Sequence, residues 1–206
     1  MKATMARLVV TSMILAAAVT GVAGCGDAST AVPPRHGIAE SDMTIHFSRT
    51  KLYGSMQELV DDTPLIVTGT VGNTRVDKDV DGRSHVTLHD VEIMNVVKGD
   101  AQPGETIVLR QTGKDDPSIL KDSETALLFL LPSGLPGDLA DQFFPKGVYA
   151  GIYMPDDGND LAVLSSSAED NASADGVDFS RLITDSGDDL PETISLGDIR
   201  RLADAD

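Results

Sequence analysis

Along the middle of the chain apolar and polar residues alternate with the period of two that marks half-buried strands. Leu65-Ile66-Val67-Thr68-Gly69-Thr70-Val71 is rich in β-branched residues and bounded by turn formers, and it predicts a strand running on to Val76. Gly69 within it predicts a bend or bulge. Residues 84–97 are the longest strand candidate. Their inward parity changes partway: Val86 and Leu88 alternate together, then Val91 and Ile93, which predicts a β-bulge near His89-Asp90. Residues 105–111 alternate again, with Ile107 and Leu109 on one face, and residues 114–123 read as a loop. Residues 125–131 form a solid apolar run of strand length, which predicts burial on both faces. A glycine- and proline-rich excursion covers 132–145. Residues 148–154 and 161–164 predict a hairpin across Asp156-Asp157-Gly158-Asn159.

Helical spacing is confined to two short places. At 55–62, Ser55 is an N-cap, Glu58 follows three residues on, and Met56, Leu59 and Val60 share a face. Pro64 ends the helix. Ser195-Leu196-Gly197-Asp198 caps a final helix carrying Ile199 and Leu202. Residues 43–47 predict a short strand ahead of the first helix. From Ser165 to Glu192, Ser, Asp, Ala and Gly dominate, interrupted by Phe179, Leu182 and Ile183, and the composition predicts an acidic, partly disordered tail. The chain therefore divides into 1–24, a tether at 25–42, a β domain at 43–164 and the tail at 165–206. The expected fold is mainly β: a small, closed or partly open antiparallel barrel with short flanking helices.

The first 24 residues have the three parts of a secretory signal: Lys2 and Arg7, an apolar run from Leu8 to Val22, then Ala23 and Gly24. The run is shorter than the about 20 residues that cross a bilayer as a helix. Val22-Ala23-Gly24-Cys25 resembles the lipobox of bacterial lipoproteins, and Cys25 is the only cysteine in the chain. The resemblance implies that the Cys25 sulfur is acylated and that cleavage makes Cys25 the mature N-terminus. The implied partner is the lipid bilayer, at the extracytoplasmic face of the cell membrane. Two or more acyl chains hold a protein there stably.

Charge narrows the function classes. The mature chain carries 14 basic against 33 acidic residues, a net charge of −19. Nucleic-acid binding needs a basic face that displaces counterions, so it is excluded. With one cysteine no intramolecular disulfide forms. The heavy use of Asp, Ala, Val, Thr and Gly resembles that of actinobacterial secreted proteins.

The order of signals between about Tyr53 and Leu164 carries a second resemblance. Glu58-Leu59-Val60 leads into Ile66-Val67-Thr68-Gly69-Thr70-Val71, a long strand closes with Val96-Val97-Lys98-Gly99, and Gly104-Glu105 and Glu124-Thr125-Ala126-Leu127-Leu128-Phe129-Leu130 follow. This resembles bacterial secreted proteins with a domain like that of tissue inhibitors of metalloproteinases and netrins. It implies a barrel of the oligonucleotide/oligosaccharide-binding (OB) type, a fold that hosts many unrelated sites. In the animal inhibitors a disulfide-bonded N-terminal cysteine presents its amine to a protease zinc. Cys25 has no partner cysteine and lies a tether away from the domain, so that mechanism is excluded.

Candidate chemistry is sparse. Asp77-Lys78-Asp79-Val80-Asp81-Gly82 has the alternate carboxylates and the glycine of a calcium loop, but its twelfth position is Leu88 instead of Glu. The reading set against it is an acidic turn between two strands. His85 and His89, with Asp90 and Glu92 nearby, allow a weak metal site, against which stand two exposed histidines on a strand. His36 and His46 join no constellation. Ser118-Ile119-Leu120-Lys121 matches the Ser-x-x-Lys of penicillin-recognising enzymes without the companion elements. Phe143, Phe144, Tyr149 and Tyr153 are either core or a partly exposed patch. The chain thus reads first as a non-enzymatic lipoprotein that uses no cofactor and binds a protein or glycan partner. The second reading is a calcium- or metal-binding envelope protein using Asp77, Asp79 and Asp81, and the third an enzyme with a site of another kind.

Overall fold

The computed structural model describes residues 51–158, 161–165 and 171–205. The signal-like segment, Cys25, the tether, His36, His46 and the strand expected at 43–47 lie outside the described residues.

Helix α1 spans Met56–Asp61. The Ser55 hydroxyl accepts from the Glu58 N–H at 3.2 Å, and the Glu58 carboxylate accepts from the Gly54 N–H at 2.9 Å. Donors at the helix start are thereby satisfied from both sides. Met56, Leu59 and Val60 are buried, as their spacing predicts.

Among the described residues eight strands follow: β1 (Leu65–Lys78), β2 (His85–Lys98), β3 (Thr106–Thr112), β4 (Thr125–Pro132), β5 (Gln142–Pro145), β6 (Ile152–Pro155), β7 (Asp178–Arg181) and β8 (Thr193–Ser195). They form one sheet in the order β1-β2-β3-β5-β4-β6-β7-β8, and β1 also pairs with β4. The pairings β1–β2–β3–β5–β4–β1 thus return on themselves, and five strands make a partly closed ring. Its pairs are antiparallel except β3–β5, which is parallel. The molecule is mainly β, as the period of two predicts.

The expected bulge at His89-Asp90 is absent: the β2–β3 register runs unbroken from Val86↔Thr112 to Glu92↔Thr106, and Val86 and Leu88 are buried on the face opposite Val91 and Ile93. A bulge does occur in the same pair of strands, at Gly72 on β1, between Val71↔Val91 and Asn73↔Asp90. Side chains alternate along the regular part of β2. Thr87 and His89 therefore share the face of Val91 and Ile93, and His89 is fully buried instead of exposed. Gly69 does mark a register shift. A Cβ there would lie 2.6 Å from Val91 Cγ1 and 2.9 Å from the Glu92 carbonyl oxygen, so the close β1–β2 approach excludes a side chain.

The sheet forks beside β4. Strands β5 and β6 pair with the same edge of it, β5 against residues 130–132 and β6 against 127–128. Between them residues 146–151 loop out around Phe129. The Phe129 carbonyl accepts from Lys146 N–H at 2.7 Å, and its N–H donates to the Gly151 carbonyl at 2.9 Å. A Cβ on Gly151 would sit 2.8 Å from the Phe129 oxygen and 2.9 Å from the Lys146 oxygen, so only glycine closes this loop. Strand β5 completes the ring against β3, while β6 leaves it to pair with β7. The hairpin expected across 156–159 does not form, and Leu161–Ser165 is a 3₁₀ turn.

Two hydrophobic cores result. One lies within the ring and takes Val67, Val71, Val91, Ile93, Leu109, Ala126, Leu128 and Leu130, with Leu120 from the β3–β4 loop. The other takes the opposite face of β4 (Leu127 and Phe129) together with Leu59, Val60, Tyr153, Val177, Phe179 and Ile194. Strand β4 is buried on both faces, as its solid apolar run predicts. The second core corrects the expected acidic tail. Residues 171–205 form helix α2 (Asn171–Ala174), β7, β8 and helix α3 (Leu196–Ala203). Their few apolar residues are spaced to fall on one face. The terminal helix follows its sequence signals, with the Ser195 hydroxyl accepting from the Asp198 N–H at 3.0 Å and Ile199 buried.

Candidate functional site

The fork produces a cleft. Strands β3 and β5 pair only at Val108↔Gln142 and Leu109↔Phe143. Beyond that point residues 110–112 of β3 have no strand on the β5 side. A cavity of about 350 Å³ opens there, lined by Arg110, Gln111, Phe144, Lys146, Val148 and Tyr149 among others, and by Lys51, Tyr53 and Asp62 ahead of and after α1. Its size falls in the range of small-ligand sites. Val148 on its wall has φ 65°, a left-handed conformation that costs a β-branched residue about 1–3 kcal/mol.

Most polar groups around the cleft are already engaged. Lys51 Nζ lies 2.6 Å from Asp62 and 2.9 Å from Glu58, 5.0 Å from the centre of the Tyr53 ring. These bonds raise the Lys51 ammonium above the usual lysine range and hold both carboxyls below theirs. The Gln111 side chain donates to the Ser118 carbonyl at 3.0 Å and accepts from the Leu120 N–H at 2.9 Å. It thereby fixes the β3–β4 loop over one end of the ring. Lys146 makes no ion pair with a described residue, although its charge helps hold the Asp62 carboxyl low.

Arg110 is the residue that sequence reasoning passed over. It is 2% exposed. Its Nη2 donates to Asp79 at 2.6 Å and its Nη1 to Gln142 at 2.9 Å, while Nε is buried without a partner. A lone arginine in a short strand carries no signal of this. Its burial depends on the β1–β2 turn and β5, both distant in sequence.

The three aspartates of the acidic run do not converge. Asp77 accepts from the Lys78 N–H, Asp79 from the Val80 N–H and Arg110, and Asp81 from the Arg83 and Ser84 N–H groups and the Ser84 hydroxyl. The bonds to Asp81 hold its carboxyl low. The run is the end of β1 and the turn that joins it to β2, and its carboxylates serve its own backbone and Arg110. Among the described residues no group of three or more His, Cys, Asp or Glu side chains is placed to hold a metal ion.

His89 sits inside the ring. Its Nδ1 is 3.0 Å from the Thr74 hydroxyl, and its Nε2 is buried without a partner. Burial pushes its pKa down to about 4, only partly offset by the nearby Gln111 amide. His85, four residues earlier, is half-buried at the strand start, so the two do not make a site. Ser118 lies in a turn, its hydroxyl donating to Asp116 at 2.5 Å. The four aromatics divide: Tyr153 is core, Phe143 packs half-buried against the ring core, and Phe144 and Tyr149 line the cleft.

No helix among the described residues is long and apolar enough to cross a membrane. The chain matches no protein-family model, and no curated protein is similar to it.

Proposed function

We propose that this chain is a lipid-anchored binding module of the cell envelope, built on an OB-type barrel, that takes a protein or glycan segment in the cleft at the fork. The cleft carries the reading. It is concave and walled by Phe144 and Tyr149, and Lys146 in its lining makes no ion pair with a described residue. The ring order β1-β2-β3-β5-β4 with its parallel β3–β5 contact supports the barrel type. The bonds of Gln111 and Ser118 hold the β3–β4 loop and those of Lys51 and Asp62 hold the start and end of α1, so these groups serve the walls of the cleft. The apolar run ending at Val22-Ala23-Gly24-Cys25 supports the anchor and, with it, the extracytoplasmic face.

The reading is tested in two arms. The wild type is expected in the membrane fraction with acyl chains on Cys25, and Cys25→Ser is expected to be released or left unprocessed. Titration with extended peptides and oligosaccharides, followed by thermal shift, should give a hit that Phe144→Ala and Lys146→Glu each weaken about tenfold or more. Hits indifferent to both substitutions would remove the cleft from the proposal.

A further inference from the structure

Strand β1 is covered on one edge over half its length only. It pairs with β4 from Leu65↔Leu130 to Thr70↔Thr125, and the last bonds on that side join Val71 to Ser123 and Glu124. From Gly72 to Lys78 it pairs with β2 alone. The hydrogen-bond phase there is set at the hairpin turn, where Asp79 N–H donates to Ser84 O at 2.9 Å, and by Gly113 N–H, which donates to His85 O on the far side of β2. Alternation along an antiparallel pair then turns the backbone groups of Thr74, Val76 and Lys78 away from β2. The Lys78 N–H bonds back to Asp77 Oδ1 at 2.7 Å, as a group facing away from the sheet must. Val76 is 54% exposed and Val80, at the turn, 64% exposed; they are two of the three large apolar side chains most open to solvent among the described residues.

We infer that the Gly72–Lys78 edge of β1 pairs antiparallel with the same edge of a second copy of this chain, about a two-fold axis at Val76. An unpaired edge is a template for another strand, and proteins usually block it with charges. Here the charges are self-complementary. With Val76 opposite Val76 of the partner subunit, Arg75 stands opposite Asp77 of the partner subunit, and Asp77 opposite Arg75 of the partner subunit. Thr74 faces Lys78 of the partner subunit. Val76 N–H and C=O, both pointing outward, close the central pair of backbone bonds. Arg75 already lies 2.7 Å from Asp90, which holds its guanidinium on the face where the cross-strand carboxylate arrives. At a net charge of −17 two copies repel each other over most of their surface. The 73–78 edge, carrying Arg75 and Lys78 against Asp77, is where that repulsion is locally reversed.

The pairing predicts a weak monomer–dimer equilibrium, since an edge-to-edge strand pair buries little area. It is measured by sedimentation equilibrium on the full chain carrying Cys25→Ser, so that acyl chains cannot associate the copies. Val76→Lys, at an exposed position, should weaken dimerisation at least tenfold with an unchanged melting temperature. Arg75→Asp alone and Asp77→Lys alone should each remain monomeric, because like charges then face each other across the axis. An equimolar mixture of the two should dimerise, since both cross-strand pairs become opposite in charge. A wild type that stays monomeric to about 1 mM overturns the inference. So does a Val76→Lys protein that dimerises as well as the wild type, or a mixture of the two charge variants no more associated than either alone.

Discussion

The two faces of β4 contrast two ways of building a core. Its inner face, Ala126, Leu128 and Leu130, meets strands that lie close in sequence and alternate regularly. Its outer face, Leu127 and Phe129, meets a layer gathered from both ends of the domain: Met56 and Leu59 from α1, and Val177, Phe179, Ile194 and Ile199 from more than 110 residues later. One strand serves both, so the ring has no independent outer surface along β4. The C-terminal layer is a second wall of the domain.

The sharpest way to break this comparison is to remove residues 171–206. The ring would then expose Phe129 and Tyr153, both fully buried. Loss of cooperative thermal unfolding is expected, where a dispensable tail would leave the transition unchanged. Next in size, Phe179→Ala in the outer layer should cost about 3–5 kcal/mol, within the range of Leu128→Ala in the ring at about 2–5 kcal/mol. Chemical denaturation measures both. A cost near zero for Phe179→Ala would return the segment to a loosely attached tail.

The polar end of the ring gives a pH dependence. His89 is neutral when folded, with a pKa near 4, and titrates at about 6.5 when unfolded. Between those values the unfolded chain binds the extra proton, so stability is full above about pH 6.5 and falls as pH drops towards 4. The expected loss is on the order of 3 kcal/mol. His89→Asn should flatten the slope in that window, whereas an equal slope in the variant would place the titrating group elsewhere. Smaller still, Asp79→Ala strips the carboxylate from buried Arg110. Removing one member of a fully buried pair costs about 3–5 kcal/mol, and Asp79 is a quarter exposed, so about 1–2 kcal/mol is expected. Because Asp77, Asp79 and Asp81 do not converge, millimolar calcium should stabilise the wild type and Asp79→Ala equally through screening.

What the sequence made legible follows the same division. The ring strands show because alternation at 65–71 and 105–111 and the solid run at 125–131 are local patterns, and helices α1 and α3 declare themselves through Ser55 and Ser195. The parity change in β2 was legible but not its meaning: Val86 and Leu88 are buried on the face opposite Val91 and Ile93, and in one strand read alone that pattern matches a bulge. The bulge at Gly72 lies on β1, whose exposed end carries no alternation to show it. Strand β5 was hidden because four residues with a proline carry no period, and the fork because it depends on two strands sharing one edge of β4. The outer layer was hidden because Val177, Phe179, Ile183, Leu190 and Ile194 are spread among Ser, Asp and Gly. Their common face exists only once β7 and β8 pair. The cleft follows from the fork, so it was out of reach as well, and Arg110 with it.

The most direct test of the binding account is site-specific photocrosslinking on the intact protein in its own membrane. A photoreactive residue at Tyr149, in the cleft wall, is compared with one at Asp157, exposed in the turn after β6. The account predicts one discrete crosslinked partner from position 149, none from 157, and loss of the 149 product when Lys146→Glu is added. The same products from both positions, or a 149 product that survives Lys146→Glu and Phe144→Ala together, would contradict it.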